Sequence, residues 1–153
     1  MKQLLHHLKY RNQEQIGGFL GEWYATLLEN EDYLKTVDMV IPVPLHPKKK
    51  QKRGYNQVTL FAKHIAIAIQ ADYREDILIK KRNVKTQTKK DRQLRWENAC
   101  DVFALADTLT SNPKHILLVD DVITTGATIE ACAHTLLKIE GVEISVLSMA
   151  VVP

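Results

Sequence analysis

Ile116-Leu117-Leu118-Val119-Asp120-Asp121-Val122-Ile123-Thr124-Thr125-Gly126-Ala127-Thr128 decides the fold of this chain. Four apolar residues in a row suit a strand buried on both faces. They end in two adjacent carboxylates, and a small hydroxyl-rich turn follows. Beyond it Ile129, Ala133, Leu136 and Leu137 recur at helical spacing and Gly141 offers a stop, which predicts a helix over 128–140. A strand thus delivers two charges into a loop that opens a helix. The first amides of that helix lack internal partners and attract anions. A phosphate placed on the amides of Thr124, Thr125, Gly126, Ala127 and Thr128 would stand one loop away from Asp120 and Asp121, which suit the two hydroxyls of a vicinal diol. Phosphate and diol together describe ribose 5-phosphate.

Working outward, Leu4, Leu5 and Leu8, then Ile16, Phe19, Leu20, Trp23, Leu27 and Leu28, follow helical spacing, with Gly17-Gly18 as a joint between one or two helices and Trp23 as a core residue. Val37 to Pro44 reads as the first core strand, its prolines marking where the sheet gives way to a lysine-filled loop. A helix follows from about Asn56, its candidate cap, to Ala71. Residues 77–81 and 102–105 are two short strands around a basic stretch, 82–97, that has no proline or glycine and little apolar surface. Asn112-Pro113 is a turn, and Val142 to Val152 is a final buried strand. Alternating strands and helices predict a mainly parallel sheet with helices on both faces and ligands at the carboxyl ends of its strands.

The 153 residues, 45% hydrophobic and 25% charged, suit one domain over 1–153 with a full core. No apolar run approaches the ~20 residues that cross a bilayer, and the first residues lack a secretory h-region, so the expected location is cytoplasmic without membrane insertion. Cys100 and Cys132 are isolated and read as buried free thiols, and the histidines fall at no metal-ligand spacing. The net charge of +3 is uneven: residues 48–53 carry +5 and residues 80–95 carry +7, which leaves −9 for the rest. Single lysines in such runs are often only solvated, but two runs beside one sheet edge suit a polyanion, either pyrophosphate or nucleic acid.

The strand, acidic pair and Thr-Thr-Gly-Ala-Thr turn resemble the phosphoribosyl pyrophosphate (PRPP) motif of type I phosphoribosyltransferases. A lone acidic pair at a strand end is usually two solvated aspartates, yet thirteen residues in strand, loop and helix context outweigh that alternative. The resemblance implies that Asp120 and Asp121 contact the ribose hydroxyls and, through water, Mg²⁺, while Thr124 to Thr128 hold the 5-phosphate. A second resemblance, through Pro42-Val43-Pro44-Leu45-His46-Pro47 and Arg53-Gly54-Tyr55-Asn56-Gln57, is to the ComF family, phosphoribosyltransferase-like proteins linked to DNA uptake in competent bacteria. Leu8-Lys9-Tyr10, Arg82, Thr86-Gln87, Arg95, Asn98 and Phe103 match further landmarks. Many ComF proteins carry a four-cysteine zinc element ahead of the Lys-Tyr landmark. Only nine residues precede Tyr10 here, so this chain is read as lacking it.

These resemblances imply a type I phosphoribosyltransferase-like α/β fold with a small flexible hood at about 77–105. Pro44, Leu45, His46 and Arg53 would bind pyrophosphate around a non-proline cis peptide, and Arg53, Asp120 and Asp121 would be the catalytic set. Thr86, Gln87, Arg92 and Arg95 would belong to the hood, with Arg92 and Arg95 also candidates to reach the leaving group. Trp96, in the basic segment, is a weak candidate to stack on a base. The implied function is PRPP binding associated with DNA uptake, with ribose 5-phosphate transferred to a nitrogen acceptor as pyrophosphate leaves. The alternative is a non-catalytic PRPP or nucleotide sensor that binds single-stranded DNA. Implied partners are PRPP or a nucleotide, single-stranded DNA, competence DNA-uptake proteins and a second copy of the chain. A receiver domain is excluded because its acidic pair follows the first strand, whereas 32 residues follow Asp121, and no Gly-x-x-x-x-Gly-Lys-Ser/Thr occurs for a P-loop.

Overall fold

The computed structural model describes residues 15–28, 31–81 and 102–152. The expectations for Leu8-Lys9-Tyr10, Arg82, Thr86, Gln87, Arg92, Arg95, Trp96, Asn98 and Cys100 lie outside these residues. The helices are α1 (Gln15–Leu28), α2 (Pro47–Arg53), α3 (Thr59–Ala68) and α4 (Ala127–Leu136), with a 3-10 helix at Asp32–Thr36. The strands are β1 (Met39–Pro42), β2 (Asp72–Tyr73), β3 (Leu78–Lys80), β4 (Phe103–Leu105), β5 (His115–Ile123) and β6 (Glu143–Val151). A four-stranded parallel sheet has the order β2-β1-β5-β6, and β3 and β4 form a separate antiparallel pair.

Strand alternation sorts the sheet's side chains onto two covered faces. Val40, Leu117, Val119 and Met149 pack with Leu20 of α1 and with Phe61, Ala62 and Ile65 of α3. Met39, Ile41, Ile116 and Leu118 pack with Ala131, Cys132 and Leu136 of α4 and with Leu78 and Phe103 of the small sheet. The expected parallel sheet with both faces covered is therefore present. Asp38 helps fix its register: one carboxylate oxygen accepts from the amides of Lys114 at 2.6 Å and His115 at 2.9 Å, where β5 begins.

Several expectations are corrected. Gly17-Gly18 is no joint. Both glycines and Gly21 are buried inside an unbroken α1, and a Cβ on Gly21 would lie 2.8 Å from the Cβ of His64 and 3.1 Å from the Phe61 carbonyl. The glycines let α1 lie against α3, which turns Trp23 outward at 51% exposure instead of into the core. The lysine run is the helix α2. His46 accepts the Lys48 amide on its Nδ1, Pro47 starts the helix with its fixed φ, and Gly54 ends it in the left-handed region. The next helix spans 59–68, shorter than 56–71; Asn56 lies ahead of it, its Oδ1 accepting the Val58 amide at 3.4 Å and its Nδ2 donating to the Val43 carbonyl at 3.0 Å. β1 covers four residues because its pairing ends at Pro42↔Val119. β5 runs past the acidic pair, since β6 pairs with it as far as Ile123↔Val151. The final strand is an edge with Val146 and Val151 exposed, not a buried strand. All peptide bonds among the described residues are trans, so the expected cis bond near Leu45 is absent there.

Candidate functional site

Adjacent strands β1 and β5 run parallel, so the loops that leave them open on the same edge. After β1 come Pro44, Leu45 and His46, all half-buried, and then α2 with Lys48, Lys49, Lys50 and Lys52 exposed and Arg53 half-buried at its end. After β5 come Thr124 and Thr125, both exposed, and Gly126, which adopts φ 76° at the cap of α4. Glycine is suited there because a side chain in that region strains the backbone. Ala127 and Thr128 form the first exposed turn of α4. The turn expected to hold a phosphate therefore exists as drawn from the sequence, with α4 starting one residue earlier.

Asp120 and Asp121 sit in the last part of β5 at 8% and 5% exposure. Each sets its carboxylate with a backbone amide: Asp121 N donates to Asp120 Oδ1 at 2.8 Å, and Val122 N donates to Asp121 Oδ1 at 2.7 Å. Successive residues of a strand point to opposite faces, so the pair divides between the two sides of the sheet's end. Asp121 meets the α3 side, where Gln57 Nε2 donates to its Oδ2 at 3.2 Å. Gln57 in turn accepts from Arg53 Nη1 on its own Oε1. The fold thus brings Arg53 to the acidic pair through one intermediate amide. Asp120 meets the α4 side. Burial pushes Cys132 of α4 well above the usual thiol range, with Asp120 adding to it, and Cys132 is a buried free thiol as expected.

Lys80 of β3 approaches the same region. Burial pushes its ammonium below the usual range and Lys49 adds to that, while Cys132 and Asp120 pull the other way. Its Nζ lies 5.0 Å from the centre of the Phe103 ring. Between the β1 loop and the small sheet lies a cavity of about 160 Å³, walled by Pro44, Leu45, Asn56, Leu78 and Lys80 among others. Sequence reasoning singled out neither Gln57 nor Lys80 as a site residue. Gln57 had one signal, its place in Arg-Gly-Tyr-Asn-Gln, and Lys80 had only its membership of a charged run.

Among the described residues no group of three or more His, Cys, Asp or Glu side chains stands ready to hold a metal, so no protein cage exists there. Two carboxylates at one strand end fit Mg²⁺ of the kind that keeps most of its waters and takes its other ligands from a bound phosphate ester. No helix among the described residues is long and apolar enough to cross a membrane.

A family model described as a phosphoribosyl transferase domain matches residues 59–152. The chain is 29% identical over 151 residues to Competence protein F of Haemophilus influenzae, covering 96% of this chain and 66% of that protein. It is 28% identical over 143 residues to DNA utilization protein YhgH of Escherichia coli, covering 90% and 61%, and 28% identical over 141 residues to Competence protein ComFC of Bacillus subtilis, covering 90% and 54%. The chain therefore spans between about half and two thirds of the length of these relatives. Among solved structures it is similar to the allosteric regulatory enzyme of purine biosynthesis, with a TM-score of 0.58 at 19% identity over 88% of this chain and 26% of the other. It is likewise similar to glutamine PRPP amidotransferase from B. subtilis, with a TM-score of 0.57 at 19% identity and the same coverage. At such identity the likeness is one of fold.

Proposed function

Starting from a chain that belongs to the phosphoribosyl transferase domain family, in its ComF branch, we propose that the edge formed by the β1 and β5 loops binds PRPP with Mg²⁺. One observation carries this most: two buried carboxylates with backbone-set orientation stand one turn before the exposed amides of a helix start, on the edge reached by Arg53. The 5-phosphate lies on the amides of Thr124 to Thr128, and the ribose hydroxyls donate to Asp120 and Asp121. The pyrophosphate faces Pro44, Leu45 and His46, with Arg53 supplying charge.

Mg²⁺, when bound, neutralises the leaving pyrophosphate. In transfer, a nitrogen acceptor attacks C1 as the bond to pyrophosphate breaks; positive charge gathers on the ring, where the carboxylates stabilise it, and the acceptor's proton passes to solvent. The names of the relatives, Competence protein F and DNA utilization protein, support a role for this chemistry in DNA uptake, and a cytoplasmic location is proposed with it. Competence DNA-uptake proteins and a second copy of the chain are its proposed protein partners.

A second reading is favoured by α2: four exposed lysines on one short helix suit a nucleic-acid backbone beside a PRPP or nucleotide pocket that senses without turnover. Incubation with Mg²⁺, PRPP and a panel of bases, followed by measurement of pyrophosphate release, separates the two. Release that depends on one acceptor supports the transferase, and PRPP binding without release supports the sensor. Absence of PRPP binding overturns the transferase, and absence of binding by PRPP and nucleotides alike overturns the sensor as well.

A further inference from the structure

Gln57 is 8% exposed, and its side-chain amide bridges groups of opposite charge from elements far apart in sequence. Its Oε1 accepts from Arg53 at the end of α2, and its Nε2 donates to Asp121 Oδ2 on β5 at 3.2 Å. A primary amide has one accepting end and one donating end, so only one orientation satisfies a guanidinium on one side and a carboxylate on the other. Asp121 and the residue beside Gln57 are held by other bonds. Asp121 Oδ1 accepts the Val122 amide at 2.7 Å, and Asn56, next to Gln57, donates to the Val43 carbonyl at 3.0 Å, which ties the start of α3 to the β1 loop. Rotation of the amide would turn oxygen towards carboxylate and NH₂ towards guanidinium.

We propose that Gln57 is a positioning residue that joins Arg53 to Asp121, so that the cation at the end of α2 and the carboxylate on β5 act on a bound ligand as one unit. The inference rests on the PRPP reading for what that ligand is, and on the hydrogen bonds alone for the coupling. With PRPP bound, the pyrophosphate draws on Arg53 and the ribose on Asp121. A single buried amide then sets the distance between the two contacts, and a misplaced contact of this kind weakens binding out of proportion to the bond lost.

Calorimetric titration of the full chain with PRPP and Mg²⁺ tests it through two variants, each checked for folding by thermal melting. Gln57→Met keeps the volume and loses both bonds. Gln57→Glu keeps an acceptor for Arg53 and sets a carboxylate against Asp121. Both are expected to bind at least about fivefold more weakly than the parent, and Arg53→Met combined with Gln57→Met is expected to lose less than the product of the single losses. Parent-like binding by Gln57→Met would mean that the residue only fills space. Parent-like binding by Gln57→Glu would mean that it only holds Arg53. Either result overturns the coupling.

A ligand-free arm keeps this separate from the PRPP reading. The side-chain NH₂ resonances of Gln57 should shift both in Arg53→Met and in Asp121→Asn. An unchanged signal in either variant overturns the proposal even if PRPP binds. Failure of the parent to bind PRPP overturns the function proposed above and leaves these resonances to decide the coupling, as they do if a Gln57 variant does not fold.

Discussion

The loops after β1 and β5 leave hydrogen-bonded neighbours of one sheet, yet they are built for anions by opposite means. The first ends in a seven-residue helix with five cations, Lys48, Lys49, Lys50, Lys52 and Arg53. The second has no cation between Asp121 and Thr128 and offers backbone amides, a left-handed glycine and two buried carboxylates. Charge on exposed side chains acts at long range and is screened by salt, whereas fixed amides act at contact and recognise shape. On the proposed reading, the loop with more charge is the less selective one. The β5 loop should choose the ligand, and the β1 loop should add attraction that any polyanion can use.

Removing the carboxylates should separate the two loops most sharply. Asp120→Asn with Asp121→Asn is expected to weaken PRPP binding at least tenfold, because the anionic acceptors proposed for the ribose hydroxyls are lost, while binding of single-stranded DNA persists. Calorimetry with PRPP and fluorescence anisotropy with an oligonucleotide make the comparison. The reverse experiment replaces Lys48, Lys49, Lys50 and Lys52 by Gln. The slope of log affinity for single-stranded DNA against log salt should flatten by up to about 2.8, at roughly 0.7 per phosphate, with PRPP affinity nearly unchanged. If PRPP affinity falls as steeply, the lysines belong to the pocket and the distinction between the loops is lost.

Much of this edge was legible in the sequence, for physical reasons that differ by residue. Ile116 to Val119 announce a buried strand because apolar runs of that length have few other uses, and Gly126 marks the turn because positive φ is costly for other residues. The lysine run misled, since charge density reads as loop. The His46-Pro47 start and Gly54 stop are helix signals in the sequence, and lysine itself is a good helix former. The extension of β5 through the acidic pair depends on β6 pairing across to Ile123↔Val151, and no local pattern reports a partner 28 residues away. Gln57 was hidden for the same reason: only the packing of α3 on the sheet sets it under Asp121. In α1, apolar residues surround the helix, so periodicity could not tell Trp23 on the outside from Leu20 within. The glycines against His64 and Phe61 make that choice.

Smaller effects refine the contrast. Gly126→Ala forces a side chain into φ 76° with open space around it, so the cost is backbone strain of about 1 kcal/mol and not a clash. Thermal melting should register it, and phosphate affinity should fall modestly while DNA binding stays put.

The smallest effect concerns the segment between β2 and β3. Arg74 donates to both oxygens of Asp76 at 2.8 and 2.9 Å and to the Thr108 carbonyl at 3.0 Å. Hydrogen bonding from Arg74 holds the Asp76 carboxyl at about 2, below its ordinary 3.8. The folded state thus favours the ionised form. The contribution is complete above the ordinary carboxylate value and is lost as pH falls through about 2. NMR titration of Asp76 should give a midpoint near 2 that rises in Arg74→Met. A midpoint at the ordinary value in the parent would mean that the clamp is not formed in solution.

The most direct measurement is a crystal structure of the full chain grown with Mg²⁺ and ribose 5-phosphate, in which the two loops compete for one anion. The phosphate is expected against the amides of Thr124 to Thr128 with the ribose hydroxyls on Asp120 and Asp121. A phosphate seated instead among the lysines of α2, with the acidic pair bearing no sugar, would contradict the account.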